Sequence, residues 1–384
     1  MKKKICVVVG SRANYSSIKS AMRAIENHPD LELLVIVMAS AVLDRYGAVV
    51  DLIQADGFTI DERVFMVVEG ETPLTMAKST GLGLIELATA FDRLGPNVVV
   101  TIGDRYETMS TTLASVYMNI PLAHTMGGEV TGTIDESIRH AVTKFAHIHF
   151  PACEDAKERI IKLGEDPDTI YNVGCPRIDL VAEVLNNLGL VDLSVLNTEG
   201  VGARIDLEKP FILLSQHPVT TEYGAGEAQI YASLQAIQES GLPAIVLWPN
   251  SDAGSEDISR GVRKYRERDK IDSFRFFKNL PIDVYIYLMK KTACLVGNSS
   301  SAIREGSFIG TPTVNIGTRQ NMRQRGANVI DTEHNKDDIL VCIKRQLDHG
   351  IYGSEPIYGD GRAGKRIADT LAVARPVLQK TIAY

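Results

Sequence analysis

Short apolar runs rich in Val and Ile alternate with stretches of helical periodicity along almost the whole chain. The runs that read as strands are Ile5–Val9, Leu33–Ala39, Asn97–Ile102, Pro121–His124 and His147–Phe150, followed by Phe211–Ser215, Ala244–Trp248, Phe274–Phe277, Cys294–Val296 and Thr313–Ile316. They are apolar at consecutive positions, as strands are when helices cover both faces of a sheet. Between them lie amphipathic stripes: Ile18, Ala21, Met22 and Ile25; Met109, Leu113, Val116 and Tyr117; Ile138, Ala141, Val142 and Phe145. Each stripe holds to one side of a 3.6-residue period and predicts a core-facing helix. Strand–helix alternation demands right-handed crossovers, so the expected class is α/β with doubly wound, mostly parallel sheets.

The chain has 384 residues, more than one hydrophobic core usually serves, since cores stop growing near ~250–300 residues. The rhythm breaks once, between Asp179 and Pro210, where a helical stretch gives way to the polar segment NTEGVGARIDLEKP. The expected domains are therefore 1–180 and 205–360, with a last helix near Lys365–Ala374 that Pro376 ends. The formal net charge of −7 excludes a general nucleic-acid binder, so an anionic ligand needs a local positive site. Cys6, Cys153, Cys175, Cys294 and Cys342 are widely spaced, without CxxC, and read as reduced thiols. Lys2–Lys4 precede only a six-residue apolar run, which fits a first strand better than a signal peptide. No run approaches the ~20 residues of a membrane span. A cytoplasmic protein without membrane partners is expected.

Ligands of open α/β sheets bind at the carboxyl ends of strands, and the polar residues of this chain concentrate there. The loop Gly10–Ser16 matches neither GxGxxG nor a Walker motif, which weakens NAD and ATP readings. Its Arg12 beside a helix start can hold phosphate or stand as a solvated cation. Asp104 and Arg105 follow the next buried strand, placing a proton-transfer group beside a cation for a leaving phosphate, or simply an ion pair. The most polar segment runs from His124 to His140. Gly127 and Gly128 allow close backbone approach, and Glu129 has no local helical partner. Thr133 and Glu136 match a capping box; Asp135 can complement a helix dipole or pair with Arg139 four residues on. His140, His147 and His149 lack metal-ligand spacing, so no metal is expected. In the second half His217, Trp248-Pro249-Asn250 and Gly297–Ser301 close successive strands. Ser299 and Ser300 offer hydroxyls and helix-start N–H groups to a diphosphate, Glu305 lies one turn on, and Arg319 follows the last strand.

Taken in order, GSRANYS, IGDRYE, HTMGGEVTGTIDESIRHAVTK, QHPVTT, GNSS and GTRQ resemble the hydrolysing UDP-N-acetylglucosamine 2-epimerases of sialic-acid-type biosynthesis, over nearly the whole chain. The resemblance implies two Rossmann-like domains of GT-B type, an active site in the cleft between them, and a C-terminal helix (364–384) packed back on the N-terminal domain. It implies conversion of UDP-GlcNAc and water into N-acetylmannosamine and UDP, through loss of the C2 proton and a 2-acetamidoglucal. Carried over by position, the catalytic groups are Asp104, Glu129, Asp135, Arg139 and His217. The UDP-binding residues are Arg12, Ser16, Arg105, His217, Asn250, Ser299, Ser300, Glu305 and Arg319. No cofactor is implied; a homodimer or higher homo-oligomer is. Two departures stand out. Met126 occupies a position where many relatives carry an acid, and Asn14 one where they often carry Asp or Glu. Met126 also suits a 6-deoxy sugar, so the alternatives are the 2-epimerase of UDP-2,4-diacetamido-2,4,6-trideoxyglucose on the legionaminic-acid route, or a glycosyltransferase of the same fold.

Overall fold

The computed structural model describes residues 2–44, 49–70, 72–130, 134–219, 222–249, 254–268 and 272–383. By contacts it divides into Met1–Leu180 with Tyr358–Tyr384, and Val181–Ile357.

The first unit runs β1 (Lys3–Val9), α1 (Arg12–Ser16), α2 (Lys19–Glu26), β2 (Leu31–Met38), α3 (Val49–Ala55), β3 (Glu62–Val64), α4 (Pro73–Leu94), β4 (Val98–Ile102), α5 (Tyr106–Tyr117), β5 (Leu122–Thr125), α6 (Ile134–Phe145), β6 (Ile148–Phe150) and α7 (Glu154–Lys162). Helix α8 (Pro176–Asn186) crosses the boundary between the units. The second unit holds α9 (Val195–Thr198), β7 (Val201–Gly202), β8 (Ile212–Ser215), α10 (Gly226–Glu239), β9 (Ala244–Leu247), α11 (Ser255–Arg268), β10 (Phe274–Phe277), α12 (Ile282–Lys291), β11 (Cys294–Gly297), α13 (Ser300–Ile309), β12 (Thr313–Ile316), β13 (Val329–Thr332) and α14 (Lys336–His349). The chain then returns to the first unit with α15 (Ala363–Val373).

The first sheet has the order β3-β2-β1-β4-β5-β6 and is parallel throughout. The second has the order β13-β12-β11-β8-β9-β10-β7, parallel except where β7 pairs with β10. Counted from β8, its six parallel strands repeat the order of the first sheet. Both units are therefore Rossmann-like, and each strand order reverses once: between β1 and β4, and between β8 and β11. The crevice at such a reversal is where doubly wound sheets take ligands.

Apolar clusters cover both faces of each sheet, which explains the unbroken hydrophobic runs of the strands. Residues 181–207 join the second unit because Val181, Val184, Leu185, Leu193 and Leu207 pack on the cluster around Phe211 and Leu213. The final helix ends at Val373, and residues 374–383 are not helical, shorter than the 364–384 helix the resemblance implies. It does pack on α2, so closely that a Cβ on Gly364 would lie 2.6 Å from the Ser20 backbone. Asp179 ties the same corner, accepting from the Ala363 and Gly364 N–H groups and the Ser20 hydroxyl. The five cysteines are buried thiols. No helix among the described residues is long and apolar enough to cross a membrane.

Helix α5 departs from expectation. Its buried side is Thr108, Ser110, Thr111, Ala114 and Ser115, while Tyr117 is 79% exposed. Small residues let α5 lie close to α4, where the Ser110 hydroxyl donates to the Thr80 carbonyl at 2.8 Å. The hydroxyls of Thr111 and Thr112 donate back to carbonyls four residues earlier. The stripe from Met109 to Tyr117 is thus not the core face.

Candidate active site

The site residues fall into two half-sites, one at the carboxyl edge of each sheet. In the first, β4 delivers Asp104 and Arg105, β5 delivers the loop from Met126 to Val130, and α6 carries Asp135 and Arg139. Arg139 is the joint between them. Its guanidinium, 3% exposed, pairs with the Asp104 carboxylate and donates to the Glu129 carbonyl at 2.6 Å. Arg139 thus holds one candidate acid by its side chain and another by its backbone. Glu129 itself is buried. Asp135 stands in the first turn of α6, and its charge is felt at both Arg105 and Glu107. Thr133, half of the expected capping box, lies outside the described residues; Glu136 sits 3.4 Å from His140 Nε2.

The paired glycines serve the chain's own packing. Gly128 has φ +74°, and a Cβ there would meet the Ala156 carbonyl of α7 at 2.2 Å. A Cβ on Gly127 would lie 3.0 Å from both His124 Nδ1 and Thr143 Oγ1. Met126 also has positive φ, +63°, and packs against the core cluster of the first unit.

Beneath this loop His124 is fully buried. Its Nε2 contacts the Gly103 carbonyl at 2.8 Å and its Nδ1 the Thr143 hydroxyl at 3.2 Å. A carbonyl only accepts, so Nε2 carries the proton and Nδ1 accepts from Thr143. One imidazole therefore links the residue before Asp104 to the helix that carries Arg139. Burial pushes its pKa down to about 4. His147 and His149 are shifted down as well, chiefly by burial. The unfolded chain binds these protons near the ordinary histidine pKa of ~6.5 and the folded one does not, so stability falls as pH drops from about 6.5 towards 4. The His124 share reaches roughly 3 kcal/mol at the bottom of that window. Urea unfolding at pH 7.5 and 4.5 measures the loss, and His124→Gln, which can still donate to Gly103, should flatten the slope.

The first loop is braced rather than open. Asn14 accepts from the Gly10 N–H at 3.2 Å and donates to the Ile102 carbonyl at 3.3 Å. A carboxylate cannot make the second bond, which gives Asn14 a reason to stand here. Arg12 is exposed. The Ser16 hydroxyl donates to the Ala13 carbonyl and accepts from Arg177 at 3.1 Å. Arg177, on α8, went unremarked in the sequence because nothing local links it to Ser16.

In the second half-site the organising residue is Asn298, fully buried. Its side chain accepts from the His217 N–H at 2.7 Å and donates to the His217 carbonyl at 2.9 Å. Its own carbonyl accepts from Arg319 at 3.2 Å and Gln320 at 2.9 Å. Asn298 thus gathers the ends of β8, β11 and β12. Gly297 makes this possible: with φ +130°, its Cβ would lie 2.2 Å from the Ser215 carbonyl. Ser299 is the N-cap of α13 but makes no side-chain cap; its hydroxyl bonds Ser301 at 2.8 Å, and Ser301 bonds Tyr285 at 2.7 Å. The serine hydroxyls therefore leave the first N–H groups of α13 to another acceptor, as helix starts that bind phosphate do. Glu305 is buried one turn on. Asn250 lies outside the described residues. No group of three or more His, Cys, Asp or Glu residues that could hold a metal ion occurs among the described residues. Instead His149 pairs with Glu165 at 3.1 Å, and His147 bonds backbone at Leu122 and Leu378.

The sequence model of the family described as UDP-N-acetylglucosamine 2-epimerase matches residues 23–372. The chain is 32% identical over 387 residues to the UDP-N,N'-diacetylbacillosamine 2-epimerase (hydrolyzing) of Legionella pneumophila, covering 100% of both. It is 30% identical to a UDP-N-acetylglucosamine 2-epimerase of Neisseria meningitidis, over 94% of this chain and 91% of that one. Among solved structures, the UDP-GlcNAc 2-epimerase of Neisseria meningitidis bound to UDP-GlcNAc matches with a TM-score of 0.80, covering 96% of this chain and 99% of that one. At 16% identity that likeness speaks for the fold.

Proposed function

This chain belongs to the UDP-N-acetylglucosamine 2-epimerase family, and on that premise we propose that it is a hydrolysing member. It converts UDP-GlcNAc and water into N-acetylmannosamine and UDP, a step of sialic-acid-type biosynthesis. The observation that carries this reading is the buried Arg139 tying Asp104 to the Glu129 loop, which gathers acid–base groups at the strand reversal of the first unit.

In the proposed reaction Glu129 takes the C2 proton. The C2–H electron pair becomes the C1=C2 bond, the C1–O bond breaks, and UDP leaves with its electron pair. Water then adds. Asp135, entering as its carboxylic acid, gives C2 a proton on the opposite face. The water oxygen bonds to C1 while the water proton passes to Asp135, and Glu129 releases the proton it took to solvent. A C2 proton is weakly acidic, so a carboxylate held in place lowers the barrier. Asp104 orients this set through Arg139. The departing diphosphate is stabilised by Arg12, Arg105 and Arg319, by His217, and by the N–H groups that open α13 near Ser299 and Ser300. Ser16 contributes a hydroxyl, Glu305 accepts the ribose hydroxyls, and Asn250 completes the nucleotide set.

A second substrate is favoured by one finding: the full-length Legionella relative is described as acting on UDP-N,N'-diacetylbacillosamine, the 2,4-diacetamido trideoxy sugar. Incubation with each UDP-sugar, in EDTA and without an acceptor, separates the readings. UDP release from UDP-GlcNAc with free N-acetylmannosamine is the expected result. Turnover of the diacetamido sugar alone moves the substrate, and UDP release only with an added acceptor gives the reaction to a glycosyltransferase.

A further inference from the structure

We propose that Glu107 is a positioning residue that presents Arg105 to the substrate diphosphate; the inference rests on the UDP-sugar reading above. Glu107 lies in the first turn of α5, 1% exposed. Its Oε1 accepts from Arg105 Nε at 3.0 Å. The carboxylate is sealed in, with 2% side-chain exposure, whereas the Arg105 side chain is 49% exposed. A guanidinium tethered by Nε and half in solvent keeps its two terminal nitrogens for a ligand, and that fork matches a phosphate.

The same side chain also lies against the first loop. A Cβ on Gly10 would meet Glu107 Cγ at 2.6 Å and Oε1 at 3.0 Å, so the backbone at Gly10 rests directly on Glu107. Gly10 opens the loop that carries Arg12 and Ser16. One buried side chain thus meets both Arg105 and the backbone that opens the loop of Arg12. Burying a carboxylate is costly unless its charge is used. Here burial pushes the Glu107 pKa up against the pull of Arg105, and its Oε2 has no partner among the described residues. Apolar side chains in place of a buried ion pair are often neutral or stabilising. A charge retained there fits a task at Arg105.

The test compares Glu107→Gln, Glu107→Ala, Arg105→Ala and the Glu107/Arg105 double alanine variant, reading the Kd of UDP by calorimetry, kcat and KM, and thermal unfolding. Glu107→Ala and Arg105→Ala should each weaken UDP about ten- to a hundredfold, the worth of one charge-assisted hydrogen bond. The double variant should be no weaker than Arg105→Ala. Glu107→Gln, which keeps the shape and an acceptor oxygen, should recover part of the affinity and show its defect in KM more than in kcat. Wild-type UDP affinity in Glu107→Ala or Glu107→Gln, or losses that add in the double variant, overturn the proposal while leaving the UDP-sugar reading intact. A wild-type protein that binds no UDP overturns both.

Discussion

Glu129→Gln should lower kcat by about 10²–10⁴-fold, the usual contribution of a positioned acid–base group, and leave the Kd of UDP unchanged. The prediction follows from where the residue sits. Its carbonyl is pinned by Arg139 at 2.6 Å, it is buried, and Gly128 before it, at φ +74°, lies so close to α7 that a Cβ would meet the Ala156 carbonyl at 2.2 Å. The loop has little room to re-aim a replacement. Gln is isosteric with Glu but cannot accept the C2 proton, so the change removes chemistry and spares shape. UDP affinity, assigned to other residues, is the internal control. Pre-steady-state UDP release and calorimetry with UDP separate the two. If kcat survives, Asp135 or Asp104 is the base and Glu129 is scaffolding.

Asn298→Ala should damage the other half-site and the fold together. The amide makes both bonds to the His217 backbone, and the residue is fully buried. Truncation leaves the part-buried His217 N–H and carbonyl without their partner, at about 1–3 kcal/mol for each group. The total expected loss is roughly 2–6 kcal/mol, measurable by urea unfolding. His217 stands on the loop that this side chain holds, and Ser299 follows it in the chain, so UDP affinity should fall with stability. Asn298→Asp is the sharper probe. It keeps the acceptor for the His217 N–H but loses the donor, and it adds a negative charge where a diphosphate is expected. UDP affinity should therefore fall further than stability does. Unchanged UDP affinity in both variants would remove the second half-site from the nucleotide.

The sequence spoke most clearly where burial is two-sided. Strands such as Val98–Ile102 and Ile212–Ser215 are buried at every position because helices cover both faces. The strands that escaped notice are β3, β7 and β13, which hold the sheet edges or add only two residues, and carry polar positions such as Glu62, Arg63 and Asp331. Helix α5 misled because apolar spacing gives a face, not its direction. Its hydroxyls satisfy themselves on backbone carbonyls and so can be buried. The candidate site was legible as strand-end loops, since doubly wound sheets put ligands there. What holds those loops was not. The bonds from His124 to Gly103, from Arg139 to Asp104, and from Asn298 to His217 join residues 21 to 81 positions apart. No local pattern encodes them. Arg139 also reaches beyond its own helix, to Asp104 and the Glu129 carbonyl, and no spacing in the sequence announces either bond.

The central claim is that C2 loses its proton and the C1–O bond to UDP breaks on this protein with water as the only co-substrate. Turnover of UDP-GlcNAc in D2O, followed by NMR, tests it directly. The account predicts free UDP in step with N-acetylmannosamine carrying deuterium at C2. A released sugar that keeps hydrogen at C2, or a UDP-sugar that epimerises without releasing UDP, would contradict it.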